Sequence, residues 1–329
     1  MKPDLPESIF SIKDHDEFND RALEIFMLQS AGNKIYSEFI RSLRIDASSI
    51  RSVFEIPFLP VEFFKNHMVI TGSRPPVKIF ESSGTTGAVT ARHYVADTGL
   101  YEKSFLKAFT LFYDEPDRYM IAALLPSYTE RGNSSLVYMM DNLIKRSSFP
   151  GSGFYKDDPR SMIEAIAEAR MQGRRILLMG VSFALLDLAE KYSPDLHDVI
   201  IVETGGMKGR RKEITRDQLH SVLKKAFNVS VIHSEYGMTE LLSQAYSKGE
   251  GIFRAPPWMK ILIRDPLDPL TIIKEPEVTG GINIIDLANI NSCSFISTGD
   301  MGRHHENGTF EVLGRIDNSD VRGCNLLIE

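Results

Sequence analysis

The chain has 329 residues, of which 43% are hydrophobic and 25% charged, with a net charge of −6 and two cysteines. That length allows one large domain or two ordinary ones. The charge offers no basic surface for nucleic acid, and two cysteines cannot make a disulfide framework. The opening MKPDLPESIF carries no apolar signal segment. No apolar run approaches the roughly 20 residues that a membrane helix needs. The expectation is a cytoplasmic protein, whose thiols stay reduced.

Residues 1–75 read as a helical region packed on a core. Phe18, Ala22, Ile25, Phe26 and Leu28, then Ile35, Tyr36 and Phe39 past Gly32, fall at helical spacing and predict helix over 16–43. Pro57 and Pro60 stiffen a connector, and Pro60 is expected to open a short helix through Phe64.

Residues 76–252 alternate in type. Strands are predicted at 77–80, 91–96, 119–125, 175–179, 199–202 and 229–232, and helices at 97–112, 136–145, 159–171 and 184–191. This alternation predicts a mostly parallel sheet wrapped by helices. The polar stretch Ser127 to Ser135, with Arg131, follows one strand, and Gly205-Gly206 follows another. In open sheets of this kind, ligands bind at such strand ends. The basic run of Lys208, Arg210, Arg211, Lys212 and Arg216 reads either as a solvated helix start or as a docking site. Val181 to Leu185 and Trp258 read equally as core or as the wall of an acyl pocket. In residues 253–329 strands follow one another, at 259–263, 270–273, 281–285, 295–297 and 309–313, with a hairpin signal at Asn307-Gly308. A small barrel or second sheet is expected there.

Four short motifs carry chemistry. Ser82-Ser83-Gly84-Thr85-Thr86-Gly87 follows a predicted strand. Its glycines admit positive φ, and its N–H groups and hydroxyls suit an anion such as phosphate. No lysine follows Gly87, which separates it from the G-x-x-x-x-G-K-[ST] nucleotide loop; alone it also reads as an ordinary loop. Tyr236-Gly237-Met238-Thr239-Glu240 offers a flat ring for a base, a close backbone, a hydroxyl and a hard oxygen ligand for Mg²⁺. In Ser297-Thr298-Gly299-Asp300 a carboxylate suits the paired hydroxyls of a ribose. In Gly314-Arg315-Ile316-Asp317 the guanidinium suits ribose or phosphate. Asp300 capping a turn, or Glu240 on a solvated helix start, are the plainer readings. His304-His305-Glu306 lacks metal-ligand spacing, and His93 and His233 lie near the proposed site.

Taken in order, the four motifs resemble the adenylate-forming superfamily of acyl-CoA synthetases, adenylation domains and luciferases, and they span Ser82 to Asp317. The resemblance implies an α/β core of that superfamily's N-terminal type, with ATP and Mg²⁺ as cofactors. Ser82, Ser83, Gly84, Thr85, Thr86 and Gly87 would hold the phosphates. Gly205 and Gly206 would lie beside adenine, and Tyr236 would stack on it. Gly237 would let the backbone approach, Thr239 would touch the α-phosphate, and Glu240 would bind the metal. Asp300 would take the ribose, with Arg315 beside it. The reaction implied is acyl-adenylate formation from a carboxylic acid.

The superfamily's mobile C-terminal domain, with its lysine, has no counterpart before Glu329. The tail Asp320-Val321-Arg322-Gly323-Cys324 instead resembles the LuxE-like acyl-protein synthetases. That resemblance implies transfer of a fatty acyl group to Cys324 and on to a partner acyl reductase. In an extended tail Arg322 and Cys324 point the same way, and the cation favours the thiolate, whereas a small buried hydrophobe is the plain alternative. Cys293 reads as structural. Two other readings stay open: a ligase whose acceptor is free coenzyme A, helped by another chain, and a non-catalytic nucleotide- or acyl-binding subunit of a reductase complex.

Overall fold

The computed structural model describes residues 5–82, 89–126, 132–205, 211 and 214–315. A mixed α/β architecture is built on one large sheet. Its parallel half runs from Gly153–Phe154 through Tyr119–Leu124, Arg175–Val181 and Val199–Thr204 to His233–Tyr236. Beyond that strand the neighbours turn antiparallel. They are Ala245–Ser247, Ile252–Arg254, Phe310–Arg315, Phe295–His304, Gly280–Asp286, Met259–Arg264 and Ile272–Ile273. Lys78–Glu81 and Arg92–Val95 form a separate hairpin.

The central parallel strands, Tyr119–Leu124 and residues 176–181, are apolar because both of their faces are covered. Tyr119, Ile121 and Ala123 belong to one core, while Met120, Ala122 and Leu124 belong to another on the opposite face. This is the period-2 alternation of a strand. Helices Pro159–Met171, Ser182–Lys191 and Arg216–Phe227 supply Met162, Leu185 and Leu223 to the second core. Helices Thr98–Tyr113 and Ser135–Ser147 supply Phe105, Phe109 and Met140 to the first. The N-terminal helices join that first core through Phe26 and Tyr36, which pack against Phe295.

Five expectations need correction. Pro60 opens no helix: Leu59–Pro60 is a short strand paired with Ile296 and Ser297, and the helix is Phe63–Asn66. The predicted 16–43 helix is two, His15–Gly32 and Lys34–Ser42. Asn33 breaks it: its side chain caps the second helix at Tyr36 N (3.0 Å) and donates to the Ser292 carbonyl (2.8 Å). Tertiary bonds therefore fix what local propensity would continue. The strand predicted at 229–232 begins instead at His233, because helix Arg216–Phe227 ends at Asn228 in the left-handed region (φ 56°). The actual strand is polar in sequence but buried, and Glu235 accepts a hydrogen bond from the Thr204 hydroxyl. Among the described residues the last third forms no separate barrel or sheet; Glu311 pairs with Ile252 and joins it to the parallel half. Finally, the strand predicted at 295–297 continues to His304, so the Thr-Gly-Asp motif lies within a strand. Among the described residues, no helix is long and apolar enough to cross a membrane.

Candidate functional site

Parallel pairing sets the first part of the site. Thr204 lies opposite Glu235, so Gly205 and Tyr236 fall side by side at the ends of adjacent strands. Gly205 sits at φ +66°, a conformation open to glycine, and its carbonyl accepts from the Ser182 hydroxyl. Gly237 packs closely: a Cβ there would stand 2.4 Å from Glu235 Oε1, so the Glu235 carboxylate would have to shift.

Antiparallel pairing sets the second part. Asp300 and Arg315 are direct cross-strand partners. The Tyr236 hydroxyl donates to Asp300 Oδ2 at 2.8 Å, so residues from three of the four motifs meet. Burial pushes the Asp300 carboxyl up, offset in part by the Tyr236 hydrogen bond and the Arg315 and Arg264 charges. Burial likewise pushes the Tyr236 phenol well above its ordinary value. Arg315 Nε is 3.8 Å from Asp300 Oδ1, but its side chain is 90% exposed. Such a pair contributes little to stability and leaves the guanidinium open to a ligand.

Sequence reading passed over Arg264, which supports this corner. It is buried at the end of the Met259–Arg264 strand. Its guanidinium donates to the Thr298 carbonyl (2.7 Å), the Ile282 carbonyl (2.7 Å) and Asn283 Oδ1 (3.0 Å). A Cβ on Gly281 would come within 2.5 Å of it. The one sequence signal was a second cation closing the apolar run Ile261-Leu262-Ile263. Arg264→Met should destabilise the fold by about 2–4 kcal/mol, because it leaves buried acceptors without donors. Urea unfolding of the two proteins measures this; equal midpoints would contradict the role given to Arg264.

Thr239 and Glu240 follow Tyr236 in a turn. Glu240 is buried, and that burial raises its carboxyl pKa to about 7, with Lys65 and Arg315 acting in the other direction. Among the described residues there is no cluster of three metal-ligating side chains. One buried carboxylate still fits Mg²⁺, which commonly takes one or two protein carboxylates and completes its shell with phosphate oxygens and water. The Thr239 carbonyl lies 2.9 Å from His93 Nδ1, and the Glu240 carbonyl accepts from Asn289 Nδ2 at 2.8 Å.

Ser82 closes the base of the glycine loop: its N–H donates to the Ala91 carbonyl (3.0 Å) and its hydroxyl accepts from Ala91 N (2.9 Å). Ser83, Gly84, Thr85, Thr86, Gly87, Arg131, Gly206, Asp317 and Cys324 lie outside the described residues. Of the basic run, Arg211 pairs with Glu190 and Asp187, and Arg216 donates to the Val312 carbonyl at 2.8 Å. Both serve packing. Trp258 is buried and donates to the Ser104 and Ser243 hydroxyls (3.0 and 3.1 Å), which makes it core. Cys293 is also buried, its thiol pushed up to about 12, and is chemically quiet.

No family model and no curated protein matches the sequence. Solved structures do match. ATP-bound MatB from Rhodopseudomonas palustris aligns at TM-score 0.53 and 18% identity, over 72% of this chain and 47% of that one. A malonyl-CoA ligase with methylmalonyl-CoA and AMP bound aligns at 0.50 and 19%, over 74% and 54%. 2-Hydroxyisobutyryl-CoA ligase, in complex with 2-HIB-AMP and CoA, aligns at 0.67 and 12%, over 93% and 70%. The chain thus spans about half the length of MatB, and identities this low speak to fold alone. It shares the core fold of the adenylate-forming acyl-CoA ligases.

Proposed function

We propose that this protein activates a carboxylic acid with ATP. The observation that carries the reading is the meeting of Tyr236, Asp300 and Arg315 beside Gly205, with the buried carboxylate of Glu240 a few residues along the same turn. A strand-end ring, a carboxylate for two hydroxyls and an exposed guanidinium are complementary to a nucleotide. The acid's carboxylate oxygen attacks the α-phosphorus of ATP; the new P–O bond forms as the bond to pyrophosphate breaks. When bound, Mg²⁺ would supply neutralisation of the phosphate charge that builds up. Glu240 would hold it, Thr239 would donate to the α-phosphate, and Ser82 with the glycine loop would bind the leaving phosphates.

The second half of the reaction rests on the tail. The Cys324 thiolate attacks the acyl carbonyl, AMP leaves and a thioester forms; a partner acyl reductase then takes the acyl group. The tail motif beside Arg322 supports this step, as does the resemblance to LuxE-like acyl-protein synthetases. A fatty acid is the proposed substrate and a reducing cytoplasm the proposed setting, since the thiol must stay free. Free coenzyme A is the second acceptor to test, because two of the matching structures are CoA ligases with CoA or a CoA ester bound.

Asp300→Ala should weaken Mg-ATP binding about tenfold or more, because it removes an ionised acceptor for two hydroxyls. Calorimetric titration of both proteins reads this directly. Unchanged affinity would remove Asp300 from the nucleotide site.

A further inference from the structure

His93 belongs to none of the four motifs. It sits on the small hairpin, in Arg92–Val95, and is fully buried. Phe64 meets its ring edge-on at 5.7 Å between centroids. Its Nδ1 is 2.9 Å from the Thr239 carbonyl, and its Nε2 is 3.0 Å from Asn289 Oδ1. Asn289, also fully buried, donates from Nδ2 to the Glu240 carbonyl (2.8 Å) and the Cys293 carbonyl (3.0 Å). His93 and Asn289 therefore face two consecutive carbonyls of the motif and each other; both groups that His93 faces are acceptors, so its neutral ring, with one N–H, donates to one of them at a time. They come from distant parts of the chain, the hairpin that leads into the glycine loop and the turn after Gly280–Asp286.

We propose that His93 and Asn289 are a positioning pair that fixes the Thr239–Glu240 backbone against the hairpin, and so sets where the metal-bearing end of ATP is held. The proposal rests on the roles given above to Thr239 and Glu240. A histidine kept only for packing has no need of this geometry: an apolar ring would fill the same buried space with no N–H to satisfy. The pair acts through the motif and touches no substrate itself.

The test uses the full chain and ATP as the probe. ATP binding is titrated in EDTA and again over a range of Mg²⁺, for wild type, His93→Phe, His93→Gln, Asn289→Ala and the His93→Phe/Asn289→Ala double variant. His93→Phe and Asn289→Ala should keep metal-free ATP affinity within twofold, since the Tyr236–Asp300 corner is independent of the pair. Each should need about fivefold more Mg²⁺ for half-maximal enhancement, the factor that one intramolecular hydrogen bond carries. The double variant should add less than a further twofold, because the two residues are in contact and act on one turn. His93→Gln, which keeps a donor for the Thr239 carbonyl, should recover at least half of the loss. If His93→Phe does not fold, His93→Gln against Asn289→Ala carries the comparison.

Equal loss of metal-free and Mg²⁺-dependent binding would overturn the pairing and leave a structural role. Fully additive effects in the double variant, or wild-type Mg²⁺ dependence in both single variants, would also overturn it. Wild type that binds no ATP in either condition would overturn the reading of the site, and the pair's role with it.

Discussion

Glu240→Gln should abolish chemistry and stabilise the fold at the same time. Removing the carboxylate takes away the one buried hard ligand at the motif, and acid-dependent pyrophosphate exchange should fall roughly 100-fold or more, the scale of losing a principal charge-stabilising group. Stability should move the other way. Burial holds the Glu240 pKa at about 7 in the folded protein, above the ordinary carboxyl value of 4.5. A carboxyl with a raised folded pKa contributes stability that is fully present below 4.5 and is lost as pH rises through 7. At pH 8 the ionised group costs about 3 kcal/mol. Metal-free Glu240→Gln should therefore exceed wild type by about 2–3 kcal/mol at pH 8, and the gap should close toward pH 5. Urea unfolding in EDTA at the two pH values measures it. A gap that does not change with pH would contradict burial as the source of the shift. A residue that costs stability and is kept in the ground state is the pattern expected of a functional carboxylate.

Cys324→Ser should separate the two half-reactions. Adenylation needs no thiol, so exchange should stay within about twofold of wild type. Acyl transfer needs a nucleophile that ionises near neutral pH, and a serine hydroxyl without an activating base does not. Intact-protein mass after incubation with ATP, Mg²⁺ and octanoic, palmitic or benzoic acid should show one acyl increment on wild type and none on the variant. Neutral hydroxylamine should remove the increment. Normal acylation of the serine variant would take the acceptor off Cys324. Pyrophosphate release with no increment on either protein would point to free coenzyme A.

The parallel half of the fold was legible because its strands are buried on both faces and read as continuous apolar runs, as Tyr119–Leu124 does. Where burial is polar, pattern reading failed. His233–Tyr236 hides Ser234 and Glu235 in the sheet, so the apolar Val229 and Val231 drew the predicted strand four residues too early. The break at Asn33 was invisible because its partners, Thr71 and Ser292, are far away in sequence. Ala245–Ser247 and Ile252–Arg254 are three residues each, too short for any period to register.

The candidate site divides in the same way. Its motifs could be read because glycine, hydroxyl and carboxylate side chains at fixed spacing have a direct chemical meaning. Its supports could not, beyond the place of His93 near the site. Arg264 acts on Asp300 through the Thr298 carbonyl, and His93 and Asn289 act on Thr239 and Glu240 through backbone oxygens. Backbone acceptors are the same at every position, so nothing in the sequence marks which ones are held.

Acid-dependent exchange of labelled pyrophosphate into ATP tests the central claim most directly, with the same three acids and with wild type beside Glu240→Gln. Adenylate formation predicts label in ATP only when an acid is present, and a rate at least 100-fold lower in the variant. Label that enters ATP equally with and without acid, or at the same rate in both proteins, would contradict it.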